Sequence, residues 1–334
     1  MTTYIVRRFL QAALILAGLT IIFFAILHAQ PGGPCAYIRL SQKPNTEQMY
    51  QACLVNRGLN QPLPAQYVKW VTSVAHGDFG VDLEGSPVID ALKLRIPATI
   101  VLIGVAYIFQ QLIALPLGML GALKRYSFYD QILTLFSYAG LSMPTFWLAI
   151  MLIFVFAIKI PIFPPGGIIT PSLPVSFGTS AYWPWVAGHL GTAIGDLFAH
   201  LALPALTLAI IGIAADSRFM RASMLDVINQ DYVRTARAKG LPQSKVILKH
   251  ALRNALLPII TNVGLFLGSI VGGAVITETI FGWPGMGKYF IDSLNNSDSN
   301  AMQTILLLIA FTVLLGNLVA DLLYAWVDPR IRYN

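Results

Sequence analysis

Charge is what this chain has least of. Of its 334 residues only 11% are Asp, Glu, Lys or Arg, against roughly 25% in ordinary soluble domains, while 56% are hydrophobic. That balance excludes a typical water-soluble globule and suits a bilayer. Catalytic signatures are lacking as well. There is no HExxH pair and no GxSxG elbow, and the five histidines (28, 76, 189, 200 and 250) are scattered through separate segments. An intramembrane peptidase would have to recruit isolated residues such as Ser137 or Ser142 with His200, for which the sequence offers no motif. Two cysteines with only His76 nearby fall short of the four ligands of a structural zinc site. Membrane-embedded carboxylate pairs, which a coupling ion would need, are missing. No basic stripe interleaved with aromatics marks a nucleic-acid surface.

What the chain does have is long apolar runs. A ~30 Å hydrocarbon core takes about 20 helical residues, and about six runs qualify: near Phe9 to His28, Pro97 to Leu123, Gln131 to Ile158, Leu201 to Met220, Ala255 to Phe281 and Ala301 to Val327. Pro116, Pro144 and Pro204 should kink or start helices within them. An all-α membrane protein follows. Basic residues favour the cytoplasmic side, and with the amino terminus inside, 14 of the 22 lysines and arginines fall there. Both termini are then cytoplasmic. Arg7 and Arg8 precede a first run too long for a typical signal peptide and without a small-x-small cleavage site, so it reads as an uncleaved anchor.

Between two of these runs lies a basic segment, Asp231 to Pro258, DYVRTARAKGLPQSKVILKHALRNALLP. The spacing of Val233, Ala236 and Gly240 predicts a short helix over Tyr232 to Lys239, with Arg234, Arg237 and Lys239 on the remaining arc. Gly240 supplies a left-handed cap behind those cations, which complement the helix dipole. Pro242 should start a second helix whose apolar positions Val246, Ile247, Ala251 and Leu252 oppose Lys245, Lys249 and Arg253.

This segment resembles the cytoplasmic coupling motif of ABC-type importer permeases at Ala236, Ala238, Gly240, Leu257 and Pro258. The dipeptide/oligopeptide branch is the nearest form, through Arg234-Thr235-Ala236-Arg237-Ala238-Lys239-Gly240-Leu241, His250-Ala-Leu and Ala255-Leu-Leu-Pro258. Further matches are His76-Gly-Asp-Phe-Gly80, Glu278-Thr-Ile-Phe-Gly282 with Pro284-Gly-Met-Gly287, and Asp328-Pro-Arg-Ile-Arg-Tyr333, so the resemblance spans nearly the whole chain. It implies a type I importer permease-like fold in a bacterial or archaeal inner membrane. Residues 1–30 would be an anchor helix, 31–96 an extracytoplasmic insertion, 97–327 the permease core and 328–334 a cytoplasmic tail. It also implies the partners: a second homologous permease, two cytoplasmic ATP-binding subunits or domains, and an extracytoplasmic solute-binding protein. ATP and magnesium would belong to those partners, leaving this chain no cofactor and no enzymatic role. The helices from Thr235 to Leu252 would sit in grooves of the ATPases, and the cargo would be short peptides, with nickel chelates or oligosaccharides as alternatives. The competing class is a self-sufficient channel or secondary transporter.

The remaining features stay open. Cys35 and Cys53 share the long outer segment, where an oxidising compartment permits a bridge or leaves two thiols. Pro31 to Arg95 reads as a small helical insertion, a lid or part of the binding-protein dock. Pro161 to His200, with Trp183 and Trp185, suits an interfacial aromatic belt or a loop against the binding protein. Gly282 to Lys288 has P-loop spacing, but Tyr289 replaces the required Ser or Thr and no strand precedes it; a re-entrant outer loop is expected. Charged groups in spans are costly. Asp216 is expected to pair with Arg218 or Arg221, Asp321 to join Asn317 in interhelical hydrogen bonding or a gate, and Glu278 to cap the outer gate or meet a substrate amine. Gly264, Gly268, Ser269, Gly272 and Gly273 form a small-residue stripe for close helix packing or for the pore wall.

Overall fold

The computed structural model describes residues 2–29, 35, 38, 46–83, 85–260, 263, 266 and 272–327. Gly264, Gly268 and Ser269, and the Asp328 to Tyr333 motif, lie outside them. Among the described residues the regular elements are helices, with one isolated β-bridge between Val81 and Pro87. In chain order the helices are α1 (Thr2–His28), α2 (Thr46–Arg57), α3 (Leu63–Ala75), α4 (Val88–Leu123), α5 (Phe128–Ser142), α6 (Thr145–Ile153, continued by a π turn at Phe154–Lys159), α7 (Tyr182–Gly188), α8 (Leu190–Ile228) and α9 (Asp231–Ala238). Then follow α10 (Gln243–Lys245), a π turn (Val246–Ala251), α11 (Leu252–Ala255), α12 (Val275–Ile280), α13 (Met286–Asn295) and α14 (Ser299–Val327).

Among the described residues four helices are long and apolar enough to cross a membrane: Val6–His28, Val88–Leu123, Leu190–Ile228 and Ser299–Leu322. The expected third run is split. Phe128–Ser142 and Thr145–Lys159 meet at a 100° bend, because Pro144 has no amide to continue the ladder and biases Met143 to an extended backbone (φ −85°, ψ 120°). Pro116 and Pro204 instead lie inside α4 and α8 without ending them. The expected fifth run is not one helix to Phe281, since residues 272–274 form a turn before α12.

The α4–α8 pair is the most extensive helix contact. At Gly118 the two backbones come so close that a Cβ would sit 2.4 Å from the Ser217 carbonyl oxygen. Association in lipid rests on this kind of approach, since apolar side chains gain little by leaving hydrocarbon tails. Helix α5 packs on the same pair, with Gly140 against Ala214. Helix α1 pairs with α14, and Arg8 meets Asp321 at 3.3 Å.

The segment before α4 carries two helices, as expected of an insertion. Helix α3 lies on α1 through a Thr20–Tyr67 hydroxyl contact of 2.9 Å and the rings of Phe24, Tyr67 and Trp70. Cys35 and Cys53 are bridged, with Cα atoms 6.3 Å apart, inside the usual range. Thiol labelling of the denatured chain should therefore give no adduct before reduction and two afterwards; labelling without reductant would contradict the bridge.

Candidate functional site

The two ends of the α4–α8 pair carry different constructions. At the basic end, α9 to α11 fold back on the bundle. Val233, Ala236, Val246, Ala251 and Ala255 are buried together with Ala122 of α4 and Met220 and Met224 of α8. The 3.6-residue reading holds for the first arm, with Val233 and Ala236 inward, while in the second arm the buried Val246 and Ala251 stand five residues apart, as a π turn places them. Arg234, Thr235, Arg237, Ala238, Lys239, Lys245, Lys249 and Arg253 face outward, while Leu241 and His250 are half-buried. Helix α9 begins one residue earlier than expected. Pro242 caps the second arm rather than opening it, and that arm is interrupted by the π turn. Ala236 is packed against the bundle, so within the motif it anchors the helix and offers nothing to a partner.

Gly240 has φ +72°, and its amide donates to the Arg237 carbonyl at 2.9 Å. Open space surrounds its Cβ position, so only backbone conformation demands glycine there. Beneath the segment, Arg221 of α8 grips Asp130 of α5 with two bonds of 2.5 and 2.8 Å. Asp130 also accepts the Tyr126 amide at 2.9 Å, which fixes the α4–α5 turn.

At the opposite end, Glu278 is fully buried. One carboxylate oxygen accepts the Thr99 hydroxyl of α4 at 2.8 Å, and the other accepts the amides of Gly287 and Lys288 at 2.7 and 3.1 Å. These amides begin α13, whose dipole favours a negative charge there. The apparent phosphate loop is thus filled by the chain's own carboxylate, and the absence of side chains at Gly285 and Gly287 makes room for it. Trp283, also fully buried, reaches between α4 and α8 and donates to the Ala98 carbonyl at 2.9 Å. Glu278 is therefore enclosed by protein donors in this conformation and is not presented to a substrate.

Two more loops converge near this end. Gly167 donates to the Phe281 carbonyl at 2.7 Å, and the Gly166 carbonyl meets Nδ1 of buried His200 at 2.9 Å. Thr170 bridges His200 and Asp196. The residues just after the His76–Gly80 motif dock at the start of α14, where Asn300 donates to the Val81 carbonyl and Asp298, just before the helix, accepts the Leu83 amide. Sequence reasoning missed these links. Their partners lie up to 219 residues apart, and only the recurrence of short Gly-containing motifs hinted at them.

One expectation for a charged residue is corrected. Asp216 does not pair with Arg218 or Arg221: it accepts from Gln110 and Gln111 of α4, while Arg218 lies over the Tyr138 ring at 5.1 Å and Arg221 belongs to Asp130. Positions two and five apart do not face one another on a helix. Asp321 does have an interhelical partner, Arg8 of α1, and Asn317 is exposed one turn away. Gly272 sits in the turn before α12.

Residues 114–333 match the family described as binding-protein-dependent transport system inner membrane component, and residues 1–84 match its N-terminal counterpart. The chain belongs to this family. It is 41% identical to the oligopeptide transport system permease protein AppB of Bacillus subtilis (strain 168), over the full length of both chains. It is 37% identical to the dipeptide transport system permease protein DppB of Escherichia coli (strain K12), and 38% to that of Alkalihalophilus pseudofirmus (strain ATCC BAA-2126 / JCM 17055 / OF4), again over all of each chain. The permease is thus a multi-pass membrane protein, and the buried Glu278 clamp and the exposed basic ridge are features of such a component.

Glu278→Gln puts an amide NH2 or a weaker acceptor against the Gly287 and Lys288 amides. The loss of one or two charge-assisted bonds should cost about 1–3 kcal/mol each. Hydrogen exchange in residues 282–295 should speed up in the variant, and unchanged protection would show that the clamp does not hold the loop.

Proposed function

We propose that this chain is one of two permease subunits of an ATP-driven, binding-protein-dependent importer of short peptides. The observation that carries the reading is the two-sided α9–α11 segment: one face is packed into the α4–α8 pair and the other is an exposed cationic ridge, on a chain with full-length likeness to named peptide permeases. Oligopeptide and dipeptide permeases both stand among those relatives, which supports short peptides as the common cargo class and disfavours nickel chelates and oligosaccharides.

In this reading the basic end is cytoplasmic and both termini lie there. Residues 1–30 anchor, 31–96 form the extracytoplasmic insertion, and 97–327 form the core. Two cytoplasmic ATPase subunits, which hold the ATP and magnesium, seat Arg234, Thr235, Arg237, Ala238 and Lys239 in surface grooves. The chain itself performs no chemistry. When the ATPases close, the segment moves as a unit with Ala122, Met220 and Met224, and the push enters α4 and α8 directly. Cargo released by the solute-binding protein at the other face then passes between this permease and its homologue. Each partner must bind the two conformations with different affinity for this to work.

A mild-detergent pull-down of the tagged chain from its native membrane tests the assembly. Recovery of an ATPase, a second permease and a solute-binding protein is expected. Recovery of the chain alone, under conditions that preserve known complexes, would favour a self-sufficient channel or transporter.

Gly240→Pro imposes φ near −65° and deletes the donor to Arg237. Uptake should be lost while membrane insertion persists and ATP hydrolysis no longer responds to cargo. Normal uptake would remove the coupling role. A paired substitution separates contact from packing: Ala238→Asp should weaken ATPase recovery from an inserted chain, whereas Ala236→Asp should destabilise the segment itself, read as faster proteolysis within 231–258.

A further inference from the structure

Asp216 is a charged group on the membrane-spanning α4–α8 pair that has no counter-ion among the described residues. Among the described residues no Lys, Arg or His lies within ion-pair distance of it. Its depth follows from α4. The apolar stretch of that helix runs from Pro97 to Leu123, and Gln110 lies thirteen residues from either end, about 20 Å along the axis in each direction. Gln110 and Gln111 both donate to Asp216 Oδ2, whereas on α8 Asp216 stands four residues from the end of the Leu201 to Met220 run, so the carboxylate lies within the membrane towards the basic end. Ionisable side chains at that depth are costly and face a bundle interior or a water-filled cavity.

The surroundings have the character of a built site. Gly212, one turn from Asp216 on α8, is where Gln110 rests: a Cβ there would lie 1.9 Å from Gln110 Oε1. Tyr107, one turn from Gln110 and Gln111 on α4, is stacked on Phe266 at 3.7 Å between centroids and adds an aromatic wall. The hydrogen-bond inventory is lopsided. Both glutamine donors converge on Oδ2, while Oδ1 takes no hydrogen bond from any described residue and Gln111 Oε1 is enclosed without a donor. What remains is unused acceptors and one negative charge, which an ammonium with three donors, or a guanidinium with five, complements.

We propose that Asp216, oriented by Gln110 and Gln111, is a subsite in the translocation path for the cationic group of the cargo, an ammonium or guanidinium. The assignment deepens the peptide-import reading and rests on it for the identity of the ligand. Asp216 contacts the ligand, Gln110 and Gln111 position the carboxylate, and Tyr107 offers its ring face. Binding within the membrane is favourable enough to admit a positive side chain into the path. A single carboxylate holds it loosely enough for release.

Two measurements test this. In cells carrying the complete importer, uptake of a Lys-containing tripeptide is compared with that of its Glu-containing counterpart. Asp216→Asn, which preserves shape and an acceptor for the glutamines, should lower the Lys/Glu uptake ratio by about tenfold, and Asp216→Glu should restore it. An equal loss for both peptides, or poorer recovery of the second permease with Asp216→Asn, would assign Asp216 to structure or to an ion pair with that subunit and overturn the proposal. The second readout needs no peptide. Both native cysteines are in the disulfide, so Gln111→Cys supplies the single reactive thiol. In membrane vesicles a quaternary-ammonium methanethiosulfonate should label it faster than the sulfonate analogue, and adding Asp216→Asn should erase the preference. Absent or charge-blind labelling would overturn the subsite whatever the cargo. Cation-selective labelling of Gln111→Cys, together with a wild-type importer that takes up neither peptide, would retain the cation site and reject the peptide reading.

Discussion

The close approach of α4 and α8 at Gly118 is the contact on which the other parts depend. In a bilayer, apolar side chains gain little by leaving lipid for protein, so pairing needs short-range packing and polar contacts. Gly118 lets the backbones touch, and that proximity brings three separate constructions into register along one axis. Trp283 enters between the helices at one end, the glutamines reach Asp216 midway, and Met220 and Met224 meet Ala122 under the basic segment at the other. A bulkier residue at 118 would push all three apart together.

Polar groups at the two ends do different work. Glu278 is consumed internally. Its charge organises the start of α13 and ties that loop to Thr99, so the glycine-rich loop is rigid through its own anion. The Asp130–Arg221 pair likewise holds a turn, because each partner's charge is matched by the other's fork or carboxylate. Asp216 differs in that neutral amides orient it and no cation among the described residues neutralises it. The contrast separates ionisable residues that serve the fold from one whose cost the fold does not offset.

What the sequence disclosed was local. The α9 arc with Val233 and Ala236 inward, the outward arginines, the Gly240 turn and the break at Pro144 each follow from periodicity or from one residue's backbone preference within a few positions. Helix existence was legible for the same reason in α1, α4, α8 and α14. The errors were tertiary. Asp216 seemed destined for Arg218 or Arg221 because they are neighbours in sequence, yet helical geometry points them elsewhere and its partners lie 105 and 106 residues away. From its position alone, Glu278 could cap the outer gate or meet a substrate amine. Only the arrival of Thr99 and the α13 amides shows that it is spoken for.

Ala236 illustrates why motif residues must be sorted by direction. Taken as a set, Arg234 to Leu241 reads as a contact surface, but on an eight-residue helix resting on a bundle about a third of the positions must face inward. Those inward residues give the ridge its stiffness. A cationic ridge on a loose loop would absorb a push from a partner by bending, whereas one keyed by Val233, Ala236 and Ala251 into α4 and α8 passes displacement to the helices that flank Asp216. The distance between the ridge and the carboxylate is then bridged by a continuous packed body. A rearrangement at the basic end can therefore reach acceptors within the membrane without any side chain moving from one to the other.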